Sequence, residues 1–256
     1  MKLDLKREHQ IYRTKNGQRV PGVTTILGVL SKPQLLRWYA AMEREGILDV
    51  VKQHELEYGD CPDGPEILAA SPKPNEKGEP VYFAEVRRDK AASLGTITHA
   101  RIEAWLRGEA LEADDLPADL YAQSVNGFDR FRRWWDGHGL KFVASEFQMV
   151  SEAMQVGGTM DVLASSAEHG TVVVDIKSSK SSQWWPYKEV KSQAQTYGRI
   201  WSEIHVETVH EVWVYRCGTT PDDRGQEYRL TEKDRAAGDR LFDGALTCYL
   251  AARDLE

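Results

Sequence analysis

The stretch GGTMDVLASSAEHGTVVVDIKSSK, from Gly157 to Lys180, constrains this chain more than any other. Three successive valines, Val172 to Val174, indicate a buried central strand, and such a strand needs a reason to carry Asp175 and Lys177. Side chains alternate along an extended strand, so Val172, Val174 and Ile176 share one face while Val173, Asp175 and Lys177 share the other. A turn near Glu168 to Gly170 would fold the preceding strand back and bring the Asp161 carboxylate beside Asp175. Two converging carboxylates are hard oxygen donors suited to Mg2+ or Mn2+. Lys177 beside them can orient or help deprotonate a water and steady developing negative charge. On its own, an acid-x-lysine string reads first as an ordinary surface ion pair at a strand end; the buried strand around it favours the functional reading.

The rest of the chain supplies helices around such strands. Thr24 or Thr25 can cap a helix running into Ile26–Leu30, and Pro33 can open a second one. Residues 59–80 hold five of the ten prolines and read as an exposed loop or insertion. A helix is predicted from Arg88 to Arg107, with Ile102, Trp105 and Leu106 on its buried side and Gly108 ending it. It carries His99 and Glu103 on one face, one turn apart. Tyr121, Val125, Phe128, Phe131 and Trp135 mark a further amphipathic helix stopped by Gly137 and Gly139. Three short strands follow, forming an antiparallel meander if their connections are hairpins. Next comes a helix over 187–204 with Val190, Ala194, Tyr197, Trp201 and Ile204 inward, then the strand VHEVWVYRCG. Thr231 with Asp234 reads as a capping pair for a last helix to Ala252.

Several of these landmarks fall in a known order. Asp161, then Asp175-Ile176-Lys177, then Gln193-Ala-Gln-Thr-Tyr197 resemble the motifs of PD-(D/E)XK nucleases of the RecB-like exonuclease branch. Upstream, PGVTTIL and LGTITHARIE resemble strings found in phage-type members and in the mitochondrial genome maintenance exonuclease. The resemblance spans residues 21–197. It implies an α/β, restriction-endonuclease-like core, a small mixed β-sheet flanked by helices, with an N-terminal helical region over 1–88 and the nuclease core over 89–256. By position, it makes Asp161, Asp175, the Ile176 carbonyl and His99 metal ligands and sets Lys177 on the attacking water. Gln193 and Tyr197, one helical turn apart, would support the phosphate or Lys177. His99 also fits a core histidine beside Ile102 and Leu106. Glu103 would orient the imidazole or hold a water, or form an ordinary helix salt bridge. Glu146 is a weaker candidate, equally readable as a solvated strand residue.

The linker SSKSSQWWPYK groups Ser178, Ser179, Lys180, Trp184, Trp185 and Tyr187, a composition suited to stacking unpaired bases and contacting phosphates. A hydrophobic staple over the sheet is the competing reading. In RFRRWW, from Arg130 to Trp135, the Phe and Trp positions read as structural and the arginines as open to DNA. The net charge of −7 argues against a general nucleic-acid coat protein. Between Asp175 and Arg199, however, five bases face two acids. Three scattered cysteines supply neither a disulfide framework nor the four thiolates of an iron-sulfur member, and there is no P-loop.

The chain lacks a secretory leader or a spanning apolar run, so a cytoplasmic location is expected, with a phage or prophage origin in keeping with the resemblance. The leading expectation is a Mg2+- or Mn2+-dependent deoxyribonuclease, an exonuclease on single strands or DNA ends, working with a recombination or replication partner and no membrane. The alternatives are an endonuclease or double-strand-end exonuclease, and a catalytically idle DNA-binding accessory protein.

Overall fold

The computed structural model describes residues 10–30, 32–75, 77–111, 116–179 and 185–255, without the side chains of residues 33 and 34. Two compact units divide the chain, one made of 1–30 with 94–256 and the other of 31–93. The division falls elsewhere than the expected boundary at 88/89, because Val23, Ile26 and Leu27 are buried in the core of the sheet unit.

In that unit a five-stranded mixed sheet is flanked by helices, as expected. Its strands are β3 (Lys141–Ser151), β4 (Val156–Ser166), β5 (Gly170–Ser179), β6 (Glu211–Gly218) and β7 (Gln226–Arg229), side by side in that order. The first three form the antiparallel meander read from sequence, β5 and β6 pair in parallel, and β7 pairs antiparallel with β6. A parallel neighbour requires a crossover, which α6 (Lys188–His205) provides. A separate hairpin, β1 (Tyr12–Arg13) and β2 (Arg19–Val20), precedes α1 (Val23–Leu27).

The alternation along β5 places its side chains in two cores. Val173 packs with α1, α6 and α7 (Glu232–Arg253), among Ile26, Ala194, Ile200 and Phe242. Val172, Val174 and Ile176 pack on the opposite face, against Ile102 of α4 (Phe83–Arg107) and Phe131 and Trp135 of α5 (Ala118–Gly137). With both faces covered, the valine run is the buried centre of the sheet.

Local differences from the sequence reading have physical causes. Gly22, not a threonine, caps α1, with no side-chain cap bond. Residues 64–70 form a helix, α3, inside the proline-rich stretch, because Asp63 and Glu66 make a reciprocal capping box. The inward face of α5 is centred on Ser124, Gly127 and Phe131, while Tyr121 is exposed under the Arg101 guanidinium. Gly127 permits that shift, since a Cβ there would lie 3.1 Å from Thr98 and 3.4 Å from Cys217. On α6, Ile200 is fully buried and Ile204 is exposed, so the apolar stripe is one turn shorter than predicted. The Thr231–Asp234 capping box at the start of α7 is present.

Arg130 does not face solvent. Its guanidinium donates to the Asn126 and Thr220 carbonyls at 2.9 and 2.8 Å and to the Asp223 carbonyl, closing the loop after β6. Arg216, 1% exposed, pairs with both Asp223 carboxylate oxygens and donates to Gln226 and to the Ser179 carbonyl.

The smaller unit holds α2 (Pro33–Tyr58), α3 and the start of α4. Gly46 lies against the Phe83 ring, where a Cβ would come within 2.2 Å. Arg87 bridges Glu45 and Asp49 at 2.7 and 2.8 Å. Among the described residues no helix is long and apolar enough to cross a membrane.

Removing one partner of a buried ion pair strands the other, so Arg216→Met should lower the unfolding free energy by about 3–5 kcal/mol. Thr231→Ala, which removes a helix cap, should cost only about 1 kcal/mol. Urea denaturation of both variants distinguishes the two magnitudes; equal losses would show that the Arg216–Asp223 pair does not hold the loop after β6.

Candidate metal centre

The pairing of β4 with β5 runs from Ser166↔Gly170 to Val162↔Val174 and stops there. Beyond it β5 remains paired only with β6, through Ser179↔Gly218. At the divergence the Asp161 side chain takes the place of the missing ladder carbonyl, its Oδ2 accepting from the Ile176 N–H at 2.7 Å. A buried amide is thereby satisfied, and the two strands part with their acidic residues facing the gap.

His99 enters from α4. Its Nε2 lies 3.1 Å from the Ile176 carbonyl, which only accepts, so Nε2 carries the proton. Nδ1 is then turned toward Glu146 Oε1 at 3.5 Å and Asp161 Oδ1 at 3.7 Å. In the neutral ring that places a lone pair against two carboxylates, an arrangement that calls for either a proton or a cation between them. Burial opposes the charged imidazolium, but the charges of Asp161 and Glu146 outweigh it and raise the His99 pKa. Among the described residues, His99, Glu146 and Asp161 are the group whose donor atoms converge, all within 4.8 Å of one another.

Glu146 reaches this group through an unusual backbone. Its φ is +47°, in the left-handed region that a residue with a side chain enters at a cost of about 1–3 kcal/mol. It lies between the pairs Ser145↔Val162 and Phe147↔Met160, which keep one register, so it stands across from Asp161 of β4. The adjoining residue is clamped by Arg107, which donates to the Ser145 Oγ and carbonyl at 3.2 and 3.0 Å. Glu103 in turn holds Arg107 at 2.9 Å. Glu103 thus forms the helix salt bridge and also lines the recess beside His99 and Glu146.

Asp175 stands apart from that group. Its carboxylate is fully buried, with the Lys177 ammonium 2.6 Å from Oδ2 and, among the described residues, no hydrogen-bond donor in good geometry on either oxygen. Burial raises its pKa to about 6, against the opposing pull of Lys177 and with a further push from Asp161. For Lys177, burial disfavours the charge, but Asp175 and Asp161 more than offset it, so its pKa is raised and it is an ammonium at neutral pH.

From the other layer, α6 contributes Tyr197, whose hydroxyl accepts from Gln193 Nε2 at 3.0 Å. Burial, then the charges of Asp161 and Asp175, keep the phenol protonated well beyond its ordinary range. Its ring lies over Gly158, where a Cβ would come within 2.6 Å, so only glycine lets the ring down onto β4.

The aromatic linker is more dispersed. Trp185 and Tyr187 are exposed, and Trp185 lies edge-on to Tyr228 with Lys191 near both rings. The Ser179 carbonyl is engaged by Arg216, and Ser178 approaches Gly95 of α4. Lys180 and Trp184 lie outside the described residues. Glu146 is the site residue that sequence reasoning undervalued. Strand alternation carries no signal for a left-handed residue.

No protein family matches the chain by sequence, and no curated protein does. Solved structures similar to it include a proposed exonuclease from Eubacterium rectale, at 10% identity and TM-score 0.48 over 70% of this chain and 76% of that one. Another is SSO0001, at 18% identity and TM-score 0.31 over 52% of this chain and 61% of that one.

The site has a pH signature in the metal-free protein. Asp175 binds its proton more tightly folded than unfolded, so the native state holds more protons between its ordinary value of 3.8 and about 6, and stability falls as pH rises through that window. The raised His99 pKa acts in the same direction, its stabilisation being lost as pH rises through the folded value. Asp175→Asn should therefore melt higher than the parent at pH 7.5 in EDTA, with the gap closing near pH 4. A gap independent of pH would show that the Asp175 carboxylate is not strained by burial.

Proposed function

We propose that this chain is a metal-dependent nuclease that hydrolyses phosphodiester bonds of DNA, acting as an exonuclease on single strands or DNA ends. The observation that carries the reading is the convergence of the His99 Nδ1 lone pair with Glu146 and Asp161, beside a buried Asp175 paired with Lys177. A hard cation, Mg2+ or Mn2+, suits this mixture of one imidazole and several carboxylate oxygens. His99, Glu146 and Asp161 would hold it, with Asp175 and the second lone pair of the Ile176 carbonyl adjacent. Bound there, it would polarise the phosphoryl oxygen and offset charge on the leaving oxygen.

The protein's own groups divide the remaining work. His99 is fixed in one tautomer by the Ile176 carbonyl, so its donor atom is aimed before any ligand arrives. Lys177, kept as an ammonium, positions the attacking water and steadies the negative charge that develops on the phosphoryl group. Tyr197, kept neutral, is a hydrogen-bond donor for a phosphate oxygen, and Gln193 sets its orientation. Trp185 and Tyr187, with the flanking Ser178, Ser179, Lys180 and Trp184, would grip unpaired bases and phosphates on the way in. The order of Asp161, Asp175-Ile176-Lys177 and Gln193/Tyr197 supports the RecB-like branch, and with it a recombination or replication role.

Digestion of linear and circular, single- and double-stranded DNA with Mg2+, Mn2+ or EDTA tests this reading. Cleavage of linear single strands that requires metal and spares circles is the expected result. Asp175→Asn, Lys177→Ala and Glu146→Gln should each lower turnover at least a hundredfold while remaining folded. Activity retained by all three, or undiminished in EDTA, would overturn the assignment, whereas rapid opening of circles would favour an endonuclease.

A further inference from the structure

The motif PGVTTIL does more than fill the core. Val23, Ile26 and Leu27 are buried, whereas Thr24 and Thr25 are exposed on the other side of α1. Their side chains line a recess of about 370 Å³ together with Tyr12, Arg19, Gln10 and Arg253. Among the described residues no Asp or Glu lines it, in a chain whose net charge is −7. Among the described residues no carboxylate pairs with Arg19, and Arg253 has only an exposed contact with Asp254 at 3.9 Å.

This recess is fastened to the strand that carries Asp161. The Tyr12 hydroxyl shares a 2.9 Å hydrogen bond with Thr159 Oγ1, and the Tyr12 ring lies on Gly157, where a Cβ would come within 2.2 Å. Thr159 and Asp161 are two residues apart on β4, so they share a face and are about 7 Å apart.

Resting on the nuclease reading, we propose that this recess binds the phosphodiester backbone of the DNA strand beside the phosphate being cut. Planar guanidinium forks suit phosphate oxygens, and threonine hydroxyls add directional hydrogen bonds, contacts that hold a strand in register on its backbone. The recess would set how far the strand advances past Asp161, independent of sequence.

The test is binding of fluorescein-labelled oligonucleotides to the full chain by anisotropy, across a salt titration, in EDTA and again in Ca2+. Arg19→Ala/Arg253→Ala should weaken binding equally for unrelated sequences. Losing two phosphate contacts should flatten the slope of log K against log salt by about 1.4 for single strands. Thr24→Val/Thr25→Val, which keeps side-chain volume, should weaken binding with the salt slope little changed, and Arg19→Lys/Arg253→Lys should retain most of it. Melting curves of these exposed variants should match the parent. Parental affinity and slope in the alanine variant, in a chain that binds and cuts DNA, would overturn the recess alone. A parent chain that neither binds nor cuts DNA would overturn the nuclease reading and this one with it.

Discussion

The 2.7 Å hydrogen bond from the Ile176 amide to Asp161 is the contact on which the site depends. A buried strand amide must be paired, and in an unbroken sheet the neighbouring backbone would do it. Here a side chain does it, so β4 and β5 can part after Val162↔Val174 without leaving that donor unsatisfied. The parting leaves the Ile176 carbonyl to receive His99, which fixes the tautomer and aims Nδ1 at Glu146 and Asp161. One carboxylate thus both ends a strand pairing and begins the converging group.

Electrostatics then makes the arrangement costly in the metal-free protein. Asp175 is buried with its pKa raised although an ammonium lies 2.6 Å away, which means that Lys177 does not fully compensate for lost hydration. His99, Glu146 and Asp161 concentrate negative charge around a lone pair. Glu146 adds backbone strain from a left-handed conformation. The backbone strain is a fixed cost of aiming Glu146, whereas the clustered carboxylates around the His99 lone pair are a cost that positive charge would relieve, the pattern of a site shaped for a ligand.

The sheet was legible because its strands obey a two-residue period and β5 has no charged residue until Asp175. Val173 and the Val172, Val174, Ile176 set do lie in different cores, as the alternation requires. Asp161, Asp175 and Lys177 could be singled out for the same reason, since charge in such a strand is conspicuous. Glu146 was not conspicuous: its neighbours are a serine and a phenylalanine in a strand of mixed exposure, and only an irregular backbone turns it inward. Helix faces were read less well where a small residue set the approach. Gly127 draws α5 close to Thr98 and Cys217 and shifts the buried stripe, an effect apolar periodicity does not encode. The capped helix at 64–70 was hidden by its prolines, although Asp63 and Glu66 are spaced as a capping box.

The site also joins two cores that the sheet otherwise keeps apart. His99 belongs to α4, whose Ile102 packs with Val172, Val174 and Ile176, whereas Tyr197 belongs to α6 and packs with Val173. His99 lies 3.7 Å from Asp161, and the Tyr197 phenol feels the charges of Asp161 and Asp175 from the other face. A cavity in either core could therefore displace a site residue without touching it, as interiors packed to crystal density transmit small shifts. The two faces are not equivalent in what they control. The α4 face sets the imidazole and, through Glu103, Arg107 and Ser145, the neighbourhood of Glu146. On the α6 face, Gly158 lets the Tyr197 ring rest on β4, and the buried carboxylates keep its phenol protonated. Changes in the first core thus act on the converging group, and changes in the second act on the Tyr197 phenol.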